Sequence, residues 1–208
     1  MSVSFVDELP FGFGWLEAGS FLRRCSHALA VEGKVWVLDA VADEAVLERI
    51  STLGEPAGVV QLLDRHNRDN AAVAARLGVP LHVVPQAPPA GAPFQVVPLL
   101  RNRLWREVAL WFPEQRTLAV AEAVGTAQFY RAPGERVGVA PLLRLTPPRR
   151  LLGFEPEHLL VGHGEGLHED VPAVLRDALE HSRARILPWL WGALRAHGPG
   201  GTHPLRRS

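Results

Sequence analysis

Residues 62–78 read LLDRHNRDNAAVAARLG. An apolar run ends in a knot of six polar residues, Arg65 to Asn70, and an Ala-rich stretch follows at once. The stretch GVVQLL, 58–63, has the length and apolar character of a buried strand. Asp69 stands where a helix N-cap belongs, and Gly78 stands where a helix over 69–77 would stop. The unit is therefore strand, polar knot, helix, with VPLHVV at 79–84 as a further strand. The knot carries two guanidinium groups, an imidazole, a carboxylate and two amides, and the question is what so much polar capacity serves.

Outward from the knot, the pattern is mixed. HALAVE (27–32) and VWVLDA (35–40) flank Gly33-Lys34 as a hairpin. DEAVLERISTLG, 43–54, reads as a helix capped by Asp43, with Ala45, Val46, Ile50 and Leu53 near helical spacing. QAPPAGAP, 86–93, is too Pro-rich for regular structure. Strands are expected at 94–98, 107–112 and 117–121, with the turn between the last two at 113–116. RAPGER (131–136) and TPPRR (146–150) read as loops, and HLLVGHG (158–164) as a short strand ending in a Gly-flanked His. DVPAVLRDALEHSRARIL, 170–187, reads as the longest helix, with Pro172 tolerated in its first turn. This alternation favours a layered α/β architecture in one domain, 1–195, followed by a flexible tail, 196–208.

Composition narrows the function classes. Lys+Arg and Asp+Glu both count 22, so no global basic field recruits nucleic acid or an anionic membrane. No apolar run approaches the ~18–20 residues of a membrane span, and MSVSFVDELPFGFGW lacks the layout of a signal peptide. The single cysteine, Cys25, excludes an internal disulfide and any multi-thiolate zinc site, and it favours a cytoplasmic location. It reads as a small buried hydrophobe, with Arg23, Arg24 and His27 equally readable as surface groups.

The order of these units resembles the metallo-β-lactamase superfamily over roughly 27–180. The residues that carry the resemblance are the hairpin GKVWVLDA, the unit LLDRHNRDNAAVAARLGVPLHV, the strand pair VALWFPEQRTLAVAEAVGT, and the strand running into VGHGEG before a long helix. The resemblance implies an α/β fold, a small αββα four-layer sandwich with its site at one edge, and a metal-dependent hydrolase ancestry. In that family the knot carries His-x-His-x-Asp-His, whose imidazoles and carboxylate help hold two zinc ions that activate a water. Laid on RHNRDN, this motif puts Arg65 and Asn67 at the first two His positions, keeps Asp69, and puts Asn70 at the third. A register one residue earlier aligns Asp64 and His66 but sets Arg68 in the Asp position. The family's next His has no counterpart in 83–121, Glu122 stands for the bridging Asp, and His163 matches the final His.

Two main readings follow. In the first, the chain is a pseudo-hydrolase without the two-zinc site and without a cofactor, binding a small anionic ligand or a protein partner through the old cleft at Arg65, His66, Asn67, Arg68 and Asn70. Arg65, with or without Arg68, would supply the positive charge the metal once gave and pair with Asp69 and Glu122. In the second, a remodelled one-metal hydrolase holds zinc or another divalent metal at Asp69, Glu122 and His163, with or without His66, and acts on an ester, amide or thioester. A third class is a structural subunit whose segment ILPWLWGALR, 186–195, offers an apolar patch to a partner or to a second copy in a homodimer. His158 and His168 are expected to be exposed, and His27 and His82 to lie in strands.

Overall fold

In the computed structural model, which describes residues 2–197, two sheets carry the fold. The first has six strands in sequential order: β1 (Val3–Leu9), β2 (Gly12–Glu17), β3 (Cys25–Val31), β4 (Lys34–Leu38), β5 (Glu55–Gln61) and β6 (Leu81–Val83). Neighbours pair antiparallel through β4, and β4–β5–β6 are parallel. The parallel steps are made by two crossover helices, α1 (Glu44–Leu53) and α2 (Asn70–Leu77). The second sheet contains β7 (Gln95–Arg101), β8 (Arg106–Phe112) and β9 (Thr117–Val120), with β12 (His158–Val161) parallel to β9 at one edge. A small ladder, β10 (Val124–Gly125) with β11 (Gly138–Val139), lies between them in sequence. Two helices, α3 (Val171–Glu180) and α4 (Ile186–His197), complete the described chain.

Period-two alternation sorts the first sheet into two cores. Val35, Val37 and Val59 join Val46, Leu47 and Ile50 of α1 and Val73 and Ala74 of α2 in one core. Their neighbours Trp36, Leu38 and Val60 point the other way, into a larger core with Leu110, Phe112, Leu118 and Val120 of the second sheet. α3 buries Val171, Leu175, Ala178 and Leu179 in that larger core. The hairpin turns at Glu32 and Gly33, both at positive φ (51° and 76°), the two-residue turn that matches strand twist.

Asp43 caps α1 as expected, accepting from the Ala45 N–H at 3.0 Å. Gly78 ends α2 in the left-handed conformation, φ 67°. Asp69 differs from its expectation: it sits at the N-cap of α2 but makes no side-chain bond to that helix. Its Oδ2 accepts instead from Ala42 N–H at 2.9 Å, in the loop after β4. The single helix expected over 170–187 is two helices. The break spans 181–185, and Pro188 falls in the first turn of α4, where its missing N–H is tolerated. At the break, Ser182 Oγ donates to Arg144 O at 3.0 Å and Arg185 pairs with Asp177.

β1 and β2 arise from the N-terminal stretch in which no strand was foreseen. On α4, Leu187, Trp191 and Leu194 are exposed, whereas Trp189 donates to Phe129 O at 2.7 Å. Among the tail residues 196–208, Ala196 and His197 are helical and 198–208 lie outside the described residues. No helix among the described residues is long and apolar enough to cross a membrane.

Candidate functional site

The ends of β5, β9 and β12 and the entrance of β3 converge on one edge of the sandwich. The chain after β12 is stitched to β3: Cys25 N–H donates to Gly162 O at 2.9 Å and Gly164 N–H donates to Arg23 O at 2.8 Å. Gly164 has φ 96°, and a side chain there would collide with Thr126, so the glycine sets the bend that carries His163 inward. The cleft so formed, of about 250 Å³, is lined by Leu22, Arg24, Arg65, His66, Asn67, Arg68, Glu122 and His163.

Two histidines meet at its floor. His66 and His163 are both buried, and their Nε2 atoms stand 3.3 Å apart. The outer ring nitrogens are held: His66 Nδ1 by Asp39 Oδ2 at 2.9 Å and His163 Nδ1 by Leu22 O at 3.1 Å. A carboxylate and a carbonyl only accept, so both Nδ1 atoms donate. Tyr130 stacks on the His163 ring at 5.5 Å. Burial, with the nearby His66 and Arg68, pushes the His163 imidazole down to about 3 and keeps it neutral. The buried Asp39 carboxyl is opposed by burial but lies low because His66 and Arg68 face it, and it also accepts from Leu62 N–H at 2.9 Å.

The two arginines of the knot divide the work. Arg65 is partly exposed. Its Nε and Nη2 donate to Glu122 Oε2 at 3.1 and 2.7 Å, and its guanidinium lies 4.0 Å over the Trp105 ring. Arg68, at φ 30°, turns into the protein and donates to Cys25 O at 2.5 Å, Asp39 O at 2.8 Å and Gly162 O at 2.9 Å. It thus ties β3, the end of β4 and the end of β12 together. Asn70 is buried, accepts from Ala40 N–H at 2.6 Å and donates to His66 O at 2.7 Å. Asn67 is exposed at the cleft rim.

The structure therefore gathers Arg65, His66, Asn67, Arg68, Glu122 and His163 at one cleft and leaves Asp69 and Asn70 as struts beside it. The expected Arg65–Glu122 pair forms, but Asp69 is not part of it. Asp69, Glu122 and His163 do not converge as a ligand set: among the described residues the one group of three with metal-donor atoms within 4.8 Å is Asp7, Cys25 and His27. The sequence reading passed over three contributors. Asp39, a carboxylate closing the apolar run VWVL, carried a signal, whereas Leu22 and Arg24 had none. His158 and His168, expected to be exposed, are only partly so, with their Nδ1 atoms 3.1 Å apart.

No family model and no curated protein matches the chain. Solved structures do. A metallo-beta-lactamase from Pontibacter korlensis superposes with TM-score 0.62 at 12% identity, covering 86% of this chain and 99% of that one. TMB-1, whose structure was reported with insights into substrate and inhibitor binding, superposes with TM-score 0.53 at 12% identity, covering 90% of this chain and 98% of its own.

Proposed function

The chain has the metallo-β-lactamase fold, and on that premise we propose that it is a pseudo-hydrolase whose cleft binds a small anion. The side chains present do not suit two zinc ions. Arg65 has no lone pair to offer, Asn70 is committed to Ala40 and His66, and Asp69 is turned to Ala42. The observation that carries the reading is the charge of the cleft: Arg24, Arg65 and Arg68 line it against one carboxylate, Glu122. Arg24 and Arg65 keep exposed guanidinium faces, each paired to a single carboxylate, Glu17 and Glu122. Such forks match the oxygens of a phosphate or carboxylate. A cytoplasmic location is part of this proposal and rests on the single cysteine.

A second reading has one observation in its favour. Two imidazole Nε2 atoms 3.3 Å apart, each with its Nδ1 anchored, are also spaced as neighbouring ligands of a single zinc ion. Glu122 released from Arg65 would be the third ligand of a one-metal hydrolase.

One experiment separates the two. Tag-free protein is assayed for zinc, iron and manganese per chain, beside His163→Ala and Cys25→Ser variants, and inorganic phosphate is titrated by calorimetry into the wild type and Arg24→Ala. Phosphate binding that weakens about tenfold in Arg24→Ala, with metal content untouched by His163→Ala, supports the anion site. Stoichiometric metal that disappears in His163→Ala, with no phosphate binding to the metal-free protein, overturns it in favour of the hydrolase.

A further inference from the structure

A second polar cluster lies inside the sandwich, on a different set of strands. Cys25 and His27 are two residues apart on β3 and so project to the same face, the one that also carries Leu29 and Val31 into the larger core. Across β2 the residue paired with His27 is Gly14. A Cβ at Gly14 would meet Asp7 Oδ2 and His27 Cδ2, each at 2.9 Å, so the glycine leaves the gap through which β1 reaches β3. Asp7 sits where the β1–β2 register shifts between Val6 and Leu9, at φ 51°, a left-handed conformation that Asp tolerates better than most residues. That bulge sends its carboxylate inward, where its side chain is only 4% exposed.

We propose that Asp7, Cys25 and His27 form a zinc-binding site, with Asp7 Oδ2, Cys25 Sγ and His27 Nε2 as its ligands. The three atoms are 3.5 Å (Sγ to Nε2), 3.1 Å (Nε2 to Oδ2) and 4.0 Å (Oδ2 to Sγ) apart. Tetrahedral zinc with ordinary bond lengths sets these edges at about 3.6, 3.4 and 3.6 Å. With protons alone, Nε2–H can donate to Asp7 Oδ2 while the Cys25 thiol turns to Ser26 O at 3.8 Å or to Asp7 Oδ2. A cation between the three satisfies all of them. Thiolate, carboxylate and neutral imidazole around a divalent ion also sum to zero charge, which suits a buried place.

The surroundings fit a ligand set. Asp7 Oδ1, the oxygen turned away from the cluster, accepts from Gly166 N–H at 2.8 Å and from His168 Nε2 at 3.0 Å, so the carboxylate is oriented as metal-bound carboxylates are. A thiolate with an imidazole and a carboxylate selects zinc over magnesium or calcium, which prefer oxygen alone. Three protein ligands leave a fourth position for water.

The test uses cobalt(II) as a spectroscopic substitute for zinc in tag-free, chelator-treated full-length protein. Because Cys25 is the sole cysteine, a sulfur-to-cobalt charge-transfer band reports this site and no other. Expected are a near-ultraviolet band saturating at one equivalent of cobalt, its displacement by one equivalent of zinc, its loss in Cys25→Ser, and its persistence in a His66→Ala/His163→Ala double variant. Absence of the band in the wild-type protein overturns the proposal, and so does cobalt binding seen only through sulfur-free visible bands that vanish in the double variant. The wild-type titration decides the matter even if a variant does not fold. Phosphate binding at the arginine cleft is a separate readout, so either proposal can fail alone.

Discussion

His66 and His163 reach each other from opposite sheets, Nε2 to Nε2 at 3.3 Å, with Asp39 behind one and the Leu22 carbonyl behind the other. Both Nδ1 atoms donate to these acceptors, and the depressed His163 stays neutral. The buried Asp39–His66 pair thus faces a neutral His163. His66→Ala strips Asp39 of that partner and is expected to cost about 3 kcal/mol of unfolding free energy, the range for breaking a buried pair. His163→Ala should cost less, about 1–2 kcal/mol, since it orphans only the Leu22 carbonyl and one ring hydrogen bond. Urea unfolding of both variants checks the order; a larger loss for His163→Ala would refute this account of the pair.

The two arginines of the knot should behave oppositely. Arg68→Met takes the guanidinium from the carbonyls of Cys25, Asp39 and Gly162; Asp39 O keeps Ser26 Oγ and Gly162 O keeps Cys25 N–H, and a loss of about 2–3 kcal/mol is expected. Arg65→Ala removes an exposed ion pair and a contact with Trp105, for about 1 kcal/mol or less. Thermal and denaturant midpoints of the two variants measured side by side test this. Equal losses would mean that Arg68 does not tie the strands as described.

Restoring one family residue should harm the fold. Asn70→His loses the acceptor for Ala40 N–H and puts a larger ring into a buried place, at an expected cost of about 2 kcal/mol. A calorimetric scan reads the effect as a lower Tm. An unchanged Tm would show that the loop before α1 does not depend on this amide.

Glu107 gives the pH dependence. It is fully buried, accepts from Glu122 and Ala123 N–H through Oε1 and from Trp105 Nε1 through Oε2, and burial pushes its carboxyl up to about 7. Between the ordinary value of 4.5 and about 7 the folded state binds more protons than the unfolded chain. Its contribution to stability therefore falls as pH rises through that window, by roughly 2–3 kcal/mol in all. Denaturant unfolding at steps across pH 4.5–7 should show this downward term in the wild type and lack it in Glu107→Gln. The same slope in both would assign it to other groups.

Local chemistry made parts of this fold legible and long-range chemistry hid the rest. Asp43 and Gly78 act within a few residues of themselves, so the helix ends they mark could be read from the chain. Asp69 looked like the same kind of cap, but its partner, Ala42 N–H, lies 27 residues back in a loop that only the folded sheet brings near. The strands β1 and β2 are hard to read in the sequence because β2 carries Gly12 and Gly14, residues that weaken a strand pattern and that here make room for β3 and for Asp7. His66 was assigned to a spacer position in the motif, yet it is the residue that meets His163. Spacing in the chain gave no hint that Arg68 rather than Arg65 would be drawn inward.

The Arg68 anchorage also sets a timetable for synthesis. One of its three acceptors, Gly162, lies 94 residues downstream, and β12, which carries that carbonyl to the site, is the last strand among the described residues. While the nascent chain is shorter than that, the guanidinium has no β12 to hold and the larger core lacks Leu159, Leu160 and Val161. The first sheet with α1 and α2 can gather beforehand, but the cleft can close only when the C-terminal third of the chain has left the ribosome.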